Sequence, residues 1–219
     1  MKHPHLLPLL GAAIAAATCT TAAHAVTPEW GIRAAIDVNI PGKWSNDVVS
    51  YKMFRPGVGA TLGGVSTLYL TQGFFIQPGV SLFYDSYAFD DLVVGDVAGG
   101  YTMDNPSLYK LGLRIPLTAG YMFDFSSKFS MCVYTGPEFS WAFAGKIKYG
   151  YPDFDNDPDL ALFNGFEHRV DLAWKFGIGV PVGPLLISAD WAIGMTNILN
   201  TPDISCRENR VSLAFTYNL

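Results

Sequence analysis

The sequence predicts an all-β protein, an eight-stranded antiparallel up-and-down β-barrel that crosses a membrane. Half of the residues are apolar, whereas only 15% are charged. Apolar and other residues alternate in segments that recur between turn signals, a pattern typical of strands with one apolar face. After the first 25 residues, no apolar run approaches the roughly 18 residues that a spanning helix needs. The apolar surface is therefore expected to lie on strands.

The first 25 residues have the pattern of a secretory signal peptide. A Lys in MKHPH precedes the apolar segment LLPLLGAAIAAA, and TCTTAAHA ends on small residues in an Ala-x-Ala arrangement. We expect cleavage after Ala25, which leaves residues 26–219 as the barrel domain. A membrane-anchoring helix is disfavoured because the apolar run is short and contains Pro8. A lipid anchor on Cys19 is disfavoured because Ala16 stands where such sites usually have Leu.

In eight segments apolar residues alternate with other residues. In almost every segment one face is nearly pure hydrocarbon, and the other face carries the charges. The first segment sets Trp30, Ile32 and Ile36 against Arg33 and Asp37. The segments cover residues 30–40, 54–70, 74–86, 109–123, 129–143, 168–180, 185–197 and 210–219.

The connections between these segments alternate in length. Short turns are predicted at 71–73, 124–128 and 181–184, and longer loops at 41–53, 86–107, 144–167 and 197–208. Barrels of the Gram-negative outer membrane alternate short periplasmic turns with long extracellular loops in the same way. The pattern therefore predicts that both termini lie on the periplasmic side.

Two water-soluble folds compete with this interpretation. A soluble β-sandwich would turn its apolar face inward, display charges outside, and need fewer large aromatic residues than this chain carries. A soluble ligand-binding barrel would enclose its ligand with the apolar face and would carry more charge on its surface. One face of almost every segment is nearly pure hydrocarbon and the charges gather on the other, which favours the membrane barrel.

Charge and cysteine content exclude several classes of partner and site. The net charge is −5 with no basic stripe, so nucleic acid is not an expected partner. Cys132 and Cys206 could form one disulfide, but one falls in a strand pattern and the other in a loop, which favours two free thiols. The sequence has no CxxC spacing, and we expect neither a metal nor a cofactor.

Seven short motifs follow one another over essentially the whole mature chain. They are, in order, RPGVGATLGG, FFIQPGVSLFY, LRIPLTAGYMF, YTGPEFSWAF, FGIGV, ISADWAIGMTNI and RVSLAFTYNL. The most recognisable features are Ile-Pro-Leu at 115–117, Gly-Pro at 136–137, and Gly194 followed by Thr-Asn at 196–197. With these motifs the chain resembles the PorT-like outer-membrane β-barrel domain family.

The resemblance implies a role for the final segment and a link to protein secretion. Barrels of this kind end on an amphipathic strand that the barrel-insertion machinery reads, and the family takes its name from a member implicated in secretion. Leu219 departs from the pattern, because many such barrels end in Phe. The predicted membrane-insertion strand comprises Val211, Leu213, Phe215, Tyr217 and Leu219.

The inward faces of the strands carry charged groups of both signs. An eight-stranded barrel has an interior just wide enough for its own side chains, so the charges are expected to pair and to close the lumen. This disfavours a general porin, and a proton or ion path is the alternative. The predicted lumen charge network comprises Arg33, Asp37, Asp85, Arg114, Glu138, Asp171, Lys175 and Asp190, with Arg169 and Arg210 on the same face.

Turn positions predict specific partners within this network. A turn centred on residue 126 sets Arg114 opposite Glu138, and a two-residue turn at 182–183 sets Lys175 opposite Asp190. Both pairs are then expected to face each other inside the barrel.

Two further features are candidates for chemistry. His168 is expected on the outward face near the rim, where a base could act on lipid, but no nucleophile or carboxylate stands beside it on that face. The loop DFDNDPD at 153–159 has alternate Asp residues like a calcium loop, but Pro158 occupies the place of the required Gly and Asn164 that of the bidentate Glu. A boundary His and a solvated acidic loop are the favoured interpretations.

The sequence therefore predicts a non-catalytic integral outer-membrane barrel whose loops contact partners. The expected partners are the lipid bilayer, lipopolysaccharide and the barrel-insertion machinery. The alternatives are an accessory component of a protein-secretion apparatus and a lipid-modifying enzyme. Exposed loop aromatics are predicted to provide the contacts: Trp44, Tyr87, Tyr101, Tyr149 and Phe154.

Overall fold

Eight long strands form a closed antiparallel β-barrel, as the sequence predicts. The computed structural model describes residues 27–45, 50–70, 73–89, 104–126, 129–150, 159–163, 167–199 and 204–219. The barrel strands are β1 (Glu29–Pro41), β2 (Gly57–Tyr69), β3 (Phe74–Ala88), β4 (Asp104–Ser126), β5 (Phe129–Gly150), β6 (Val170–Val182), β7 (Leu185–Gly194) and β8 (Glu208–Asn218).

The barrel closes where β1 meets β8. The ladder between these two strands runs from the pair Gly31 and Asn218 to the pair Pro41 and Glu208, and the other side of β1 pairs with β2. Each barrel strand thus has two neighbours. Closure satisfies the backbone hydrogen-bonding groups that lipid could not satisfy.

The two faces of the wall have opposite character because side chains alternate along each strand. On β1, Ile36 is 64% exposed and the next residue, Asp37, is 1% exposed. The same alternation of exposed apolar and buried polar side chains recurs on β3, β4, β7 and β8. The outward apolar band and the inward polar face agree with the predicted strand phases.

Several strands extend into the predicted loops. The strands β3, β4 and β5 have 15, 23 and 22 residues and occupy parts of the predicted loops at 86–107 and 144–167. The extensions at the ends of β4 and β5 pair with each other, so their backbone groups are satisfied without a core of their own. The predicted loop boundaries are wrong here.

Short strands lie at one end of the barrel. Trp44–Ser45 pairs with Ser50–Tyr51, and Asp159–Ala161 adds to the edge of β5. We call this the loop end, because the long connections lie there, and the opposite end the turn end. No helix among the described residues is long and apolar enough to cross a membrane.

Candidate functional site: the lumen charges

The first group of lumen charges surrounds Asp190 on β7. Its carboxylate pairs with Arg33 of β1 and, at 3.0 Å, with Lys175 of β6. The hydroxyl of Tyr134 on β5 donates a hydrogen bond to the same carboxylate. Side chains from three other strands thus meet at this acid, and each of the four is buried.

A second group lies nearer the loop end and is organised by Arg114 of β4. Its two terminal nitrogens donate to Asp37 at 2.7 Å and to Asp85 at 2.6 Å. Asp37 also accepts from Thr61 at 2.5 Å, and Asp85 accepts from the Asn39 amide at 2.8 Å. The planar guanidinium can hold two carboxylates in a fixed geometry, which a point charge such as an ammonium does less well.

Glu138 of β5 connects the two groups. It accepts a hydrogen bond from Arg210 of β8, and Lys175 lies 3.6 Å away. Arg210 in turn has its Nε 3.9 Å from Asp37. Because Lys175 also pairs with Asp190, the charges form one connected ionic layer across the lumen. Pairing of this kind is what makes buried charges tolerable.

A third group caps this layer towards the loop end. Lys110 of β4 lies 2.8 Å from Glu167 and 3.2 Å from Glu208. The hydroxyl of Tyr87 donates to Glu208 at 2.5 Å. Glu167 belongs to the connection before β6, so this ion pair fastens a loop to the inside of the wall.

Apolar clusters lie above and below the charges. At the turn end Phe75, Cys132, Tyr134 and Leu186 pack together, and we call this cluster the turn-end plug. The loop-end plug comprises Trp44, Phe54, Tyr87, Leu108, Leu162, Ile198, Leu199 and Cys206.

The cavities found among the described lumen charges are small. Two cavities among the lumen charges measure about 40 and 20 Å³, whereas a water molecule occupies about 30 Å³ of liquid. Two larger cavities lie along the wall: an apolar groove of about 820 Å³ whose lining includes Ala119 and Thr135, and a depression of about 310 Å³ near the loop end. The described charges of the lumen thus have only these small cavities among them.

The structure places the predicted lumen residues at different depths. Arg33, Asp37, Asp85, Arg114, Glu138, Lys175, Asp190 and Arg210 are buried in the lumen, and Asp171 is partly buried and accepts from Thr196 at 2.5 Å. Arg169 was expected inside and is exposed instead: it donates to the Phe143 carbonyl at 3.0 Å and stacks on Phe163. It precedes β6, so the alternation of that strand does not fix its direction.

The predicted registers of two hairpins are wrong by two residues. Arg114 lies opposite Ser140, and Glu138 lies opposite Pro116. On the next hairpin Val182 pairs with Leu185, so the turn residues are Gly183 and Pro184. Gly183 has φ +61°, and type II′ turns place Gly at this first central position. The shift puts Ala192 opposite Lys175, and the ion pair with Asp190 forms diagonally.

Two aromatic residues predicted to be exposed are buried. Trp44 and Tyr87 retain 8% and 3% of their exposure and belong to the loop-end plug. Packing these large rings over the open end of the barrel removes apolar surface from water, which is favourable. Tyr101, Phe154, the acidic stretch 153–158 and the side chains of Tyr149 and Asp159 lie outside the described residues. His168 is exposed, and it also lines the small cavity beside Lys110 and Glu167, so its outward direction stays a prediction.

Sequence reasoning missed several polar members of the lumen. Lys110 was on the polar face of its segment, which is a usable signal, but Glu167 and Glu208 fell in predicted loops. Thr61 lies in a glycine-rich segment with weak alternation. The alternation of their strands predicts that Asn39 and Tyr134 point inward. Their hydrogen-bond partners depend on the strand register, which the sequence does not give.

Comparison with known protein families gives one match. Residues 27–200 match the model of the outer membrane protein beta-barrel domain family. No curated protein matches the chain significantly.

Similar solved structures include three bacterial proteins of low sequence identity. Neisserial surface protein A is 14% identical over 87% of this chain and 97% of that chain, with a TM-score of 0.43. Ail, the attachment invasion locus protein of Yersinia pestis, solved with the heparin analogue sucrose octasulfate, is 12% identical over 88% and 99%, with a TM-score of 0.43. The outer membrane protein OprG from Pseudomonas aeruginosa is 13% identical over 90% and 98%, with a TM-score of 0.42.

The family match spans most of the chain, and the closed barrel with an apolar outer face is the structure that such a family requires. The chain belongs to the outer membrane protein beta-barrel domain family, and its outward face contacts the lipid of the outer membrane.

Proposed function

We propose that this protein is a non-catalytic, closed barrel of the outer membrane, whose lumen is blocked and whose loop-end surface contacts external or membrane partners. Both termini then lie in the periplasm, and the loop end faces outward from the cell. The proposed partners are lipopolysaccharide and, during assembly, the barrel-insertion machinery.

The observation that supports a blocked lumen is the stack of three layers. An ionic layer fills the middle, and an apolar plug packs against it at each end. The lumen cavities of about 40 and 20 Å³ are no larger than one or two water molecules. A hydrated ion or a small nutrient would have to displace paired charges to pass, at a cost of several kcal/mol.

Solute flux tests this function. The purified barrel is reconstituted in dye-loaded vesicles, and the release of a small anionic dye and of potassium is compared with empty vesicles and with vesicles that carry a general porin. The proposal predicts release at the rate of empty vesicles. Release at a rate that scales with the amount of barrel would contradict it.

Non-catalysis is supported by the surroundings of His168. Its neighbour Glu167 turns inward to Lys110, and its neighbour Arg169 is held by the Phe143 carbonyl. The Glu167 carboxylate is therefore turned away from the imidazole, and Arg169 has no carboxylate that could orient it as a base. Lipid A from cells with and without the protein should have the same composition by mass spectrometry. A protein-dependent change in acylation would instead support a lipid-modifying enzyme.

A second candidate is an accessory component of a secretion apparatus, which the PorT-like motifs favour. A closed barrel can still bind a secretion partner, because the loop-end surface remains available when the lumen is closed. Affinity capture from detergent extract distinguishes the two roles: co-purification of a large secretion complex in stoichiometric amount supports the second, and recovery of the barrel alone supports the first.

Export and assembly signals complete the proposal. Residues 1–25 are removed as a signal peptide, and the strand with Val211, Leu213, Phe215, Tyr217 and Leu219 directs insertion. Intact mass of the membrane-extracted protein should correspond to a chain that begins at Val26. A Leu219→Phe variant should assemble at least as efficiently as the parent, whereas Phe215→Asp with Tyr217→Asp should accumulate unassembled.

A further inference from the structure

A β-bulge near the loop end reverses the direction of the side chains on β5. Gly112 pairs with Ala142 and Leu111 pairs with Ala144, so Phe143 has no partner and one extra residue enters the strand. Before the bulge, the odd-numbered residues face lipid. After the bulge, Ile147 packs against the loop-end plug, and the even-numbered residues are exposed on the outward wall.

This reversal places two lysines on the outward wall. Lys146 and Lys148 are exposed and lie two residues apart on the same face, which separates their Cα atoms by about 6.6 Å. Tyr109 of β4 is the cross-strand partner of Lys146. The ammonium of Lys148 lies 5.7 Å from the centre of the Tyr109 ring, within the range of a cation–π contact.

Tyrosines and apolar residues complete a depression of about 310 Å³ at this place. Tyr84 and Tyr109 stack with their ring centres 6.0 Å apart. Leu111 and Ala144 line its part nearer the middle of the membrane. The depression therefore has a basic rim and an apolar wall, and its volume falls in the range of sites that bind small molecules, about 300 to 1,000 Å³.

The depression lies where lipid headgroups are expected. Tyrosines on the outward face of a barrel form the aromatic girdle at the membrane interface, so lysines beside and beyond them are at the level of the lipid phosphates. Lysine binds phosphate as a point charge, and basic residues at a membrane surface attract anionic lipids. A phosphate on the lysines would leave the acyl chain in line with Leu111 and Ala144.

We propose that this depression binds one anionic membrane lipid, with its phosphate on Lys146 and Lys148 and its acyl chain along Leu111 and Ala144. The site rests on the membrane placement in the proposed function, but it does not depend on the closed lumen. Failure of lipid binding would therefore leave the flux result unchanged, and an open lumen would leave this site unchanged.

Lipid titration of the full barrel in detergent tests the proposal by native mass spectrometry. The probes are dioleoyl phosphatidic acid and dioleoyl phosphatidylcholine, which share their acyl chains. The test variant is Lys146→Gln with Lys148→Gln. The matched control is Lys43→Gln with Lys52→Gln, which removes the same charge from two other exposed lysines near the loop end. Circular dichroism and heat-dependent gel mobility verify the fold of each variant.

The parent and the control should bind the first phosphatidic acid at least about tenfold more tightly than phosphatidylcholine, and the test variant should lose most of this preference. Ala144→Leu, which fills the apolar part without changing charge, should weaken phosphatidic acid binding about threefold or more. An unchanged preference in the test variant would overturn the site. An equal loss in the control would overturn it too, because general surface charge would then explain the binding.

Inorganic phosphate distinguishes a lipid site from a simple anion site. The lipid assignment predicts that millimolar inorganic phosphate fails to displace micromolar phosphatidic acid from the parent protein, because the acyl chain contributes to affinity. Displacement by millimolar phosphate would contradict the assignment and would indicate a site for free phosphate.

Discussion

The ammonium of Lys175 lies 3.0 Å from the Asp190 carboxylate, although the residue directly opposite Lys175 on β7 is Ala192. The ion pair is therefore diagonal. Asp190 also binds Arg33, and Lys175 lies 3.6 Å from Glu138. Each charge thus has more than one partner, and the loss of different members is expected to have different costs.

Asp190→Asn should destabilise the barrel by about 3 to 5 kcal/mol, because it leaves Arg33 and Lys175 without their shared carboxylate. Lys175→Gln should cost less, about 1 to 3 kcal/mol, because Asp190 keeps Arg33. Urea unfolding from lipid vesicles measures both variants and their combination. The double variant should differ from the sum of the single variants by more than 0.5 kcal/mol, roughly the limit of additivity for independent sites. Additive losses would mean that the pair does not couple.

Arg114→Gln should destabilise the barrel by about 3 to 5 kcal/mol, because Asp37 and Asp85 would lose the guanidinium that both contact. Asp37 would keep the Thr61 hydroxyl and a more distant cation, Arg210, at 3.9 Å. Arg114→Lys should recover part of the loss, since one ammonium cannot reproduce the two-pronged contact. Adding Asp37→Asn and Asp85→Asn to Arg114→Gln should restore stability in the same unfolding assay. A single variant within about 1 kcal/mol of the parent would exclude Arg114 as the organising residue.

Gly177→Ala should destabilise the barrel by about 1 to 3 kcal/mol, because the added methyl group would overlap a neighbouring ring. A Cβ atom at Gly177 would lie 2.1 Å from the Tyr134 ring, which packs across the inner wall and donates to Asp190. Gly64→Ala is the matched control, since its nearest neighbour would be 3.9 Å away. Thermal or urea unfolding should place the control within about 0.5 kcal/mol of the parent. Equal effects at the two positions would argue against the close packing of Tyr134.

Cys132 and Cys206 should resist alkylation in the folded barrel. Both thiols are free and buried, and burial raises the pKa of the Cys206 thiol to about 11. At pH 8 the thiolate fraction of Cys206 is then on the order of one in a thousand, far below that of an unperturbed cysteine. Mass spectrometry after iodoacetamide treatment should find no adduct on the folded protein and two after unfolding in urea. Rapid modification of Cys206 before unfolding would show that the loop-end plug is open.

The strand phases could be predicted from the sequence because lipid and lumen select opposite side chains, and alternation records that choice directly. On β1 the predicted faces agree with the structure at Ile36 and Asp37. The pairings could not be predicted with the same accuracy, because a turn displaced by one residue moves every cross-strand partner by two. The turn at Gly183 and Pro184 is the example: both candidate turns contain Gly183, and only the backbone distinguishes them.

The loop end was the least predictable part. Trp44 and Tyr87 look like exposed loop aromatics, but they close the barrel mouth from above. The sequence around the bulge at Phe143 has the same pattern as an ordinary strand end. The outward direction of Lys146 and Lys148 therefore could not be predicted. Both features depend on contacts between segments that are distant in the chain.

Thiol accessibility inside the barrel tests the filled lumen most directly. Ser212 is buried in the lumen wall on β8, and Ser50 and Ser126 are exposed at the loop end and the turn end. Each is changed to Cys in a background with Cys132→Ala and Cys206→Ala, and a membrane-impermeant maleimide is applied to both faces of a bilayer. The account predicts rapid labelling at positions 50 and 126 and, over the same period, none at position 212. Labelling of position 212 at the rate of the exposed positions would contradict the closed lumen.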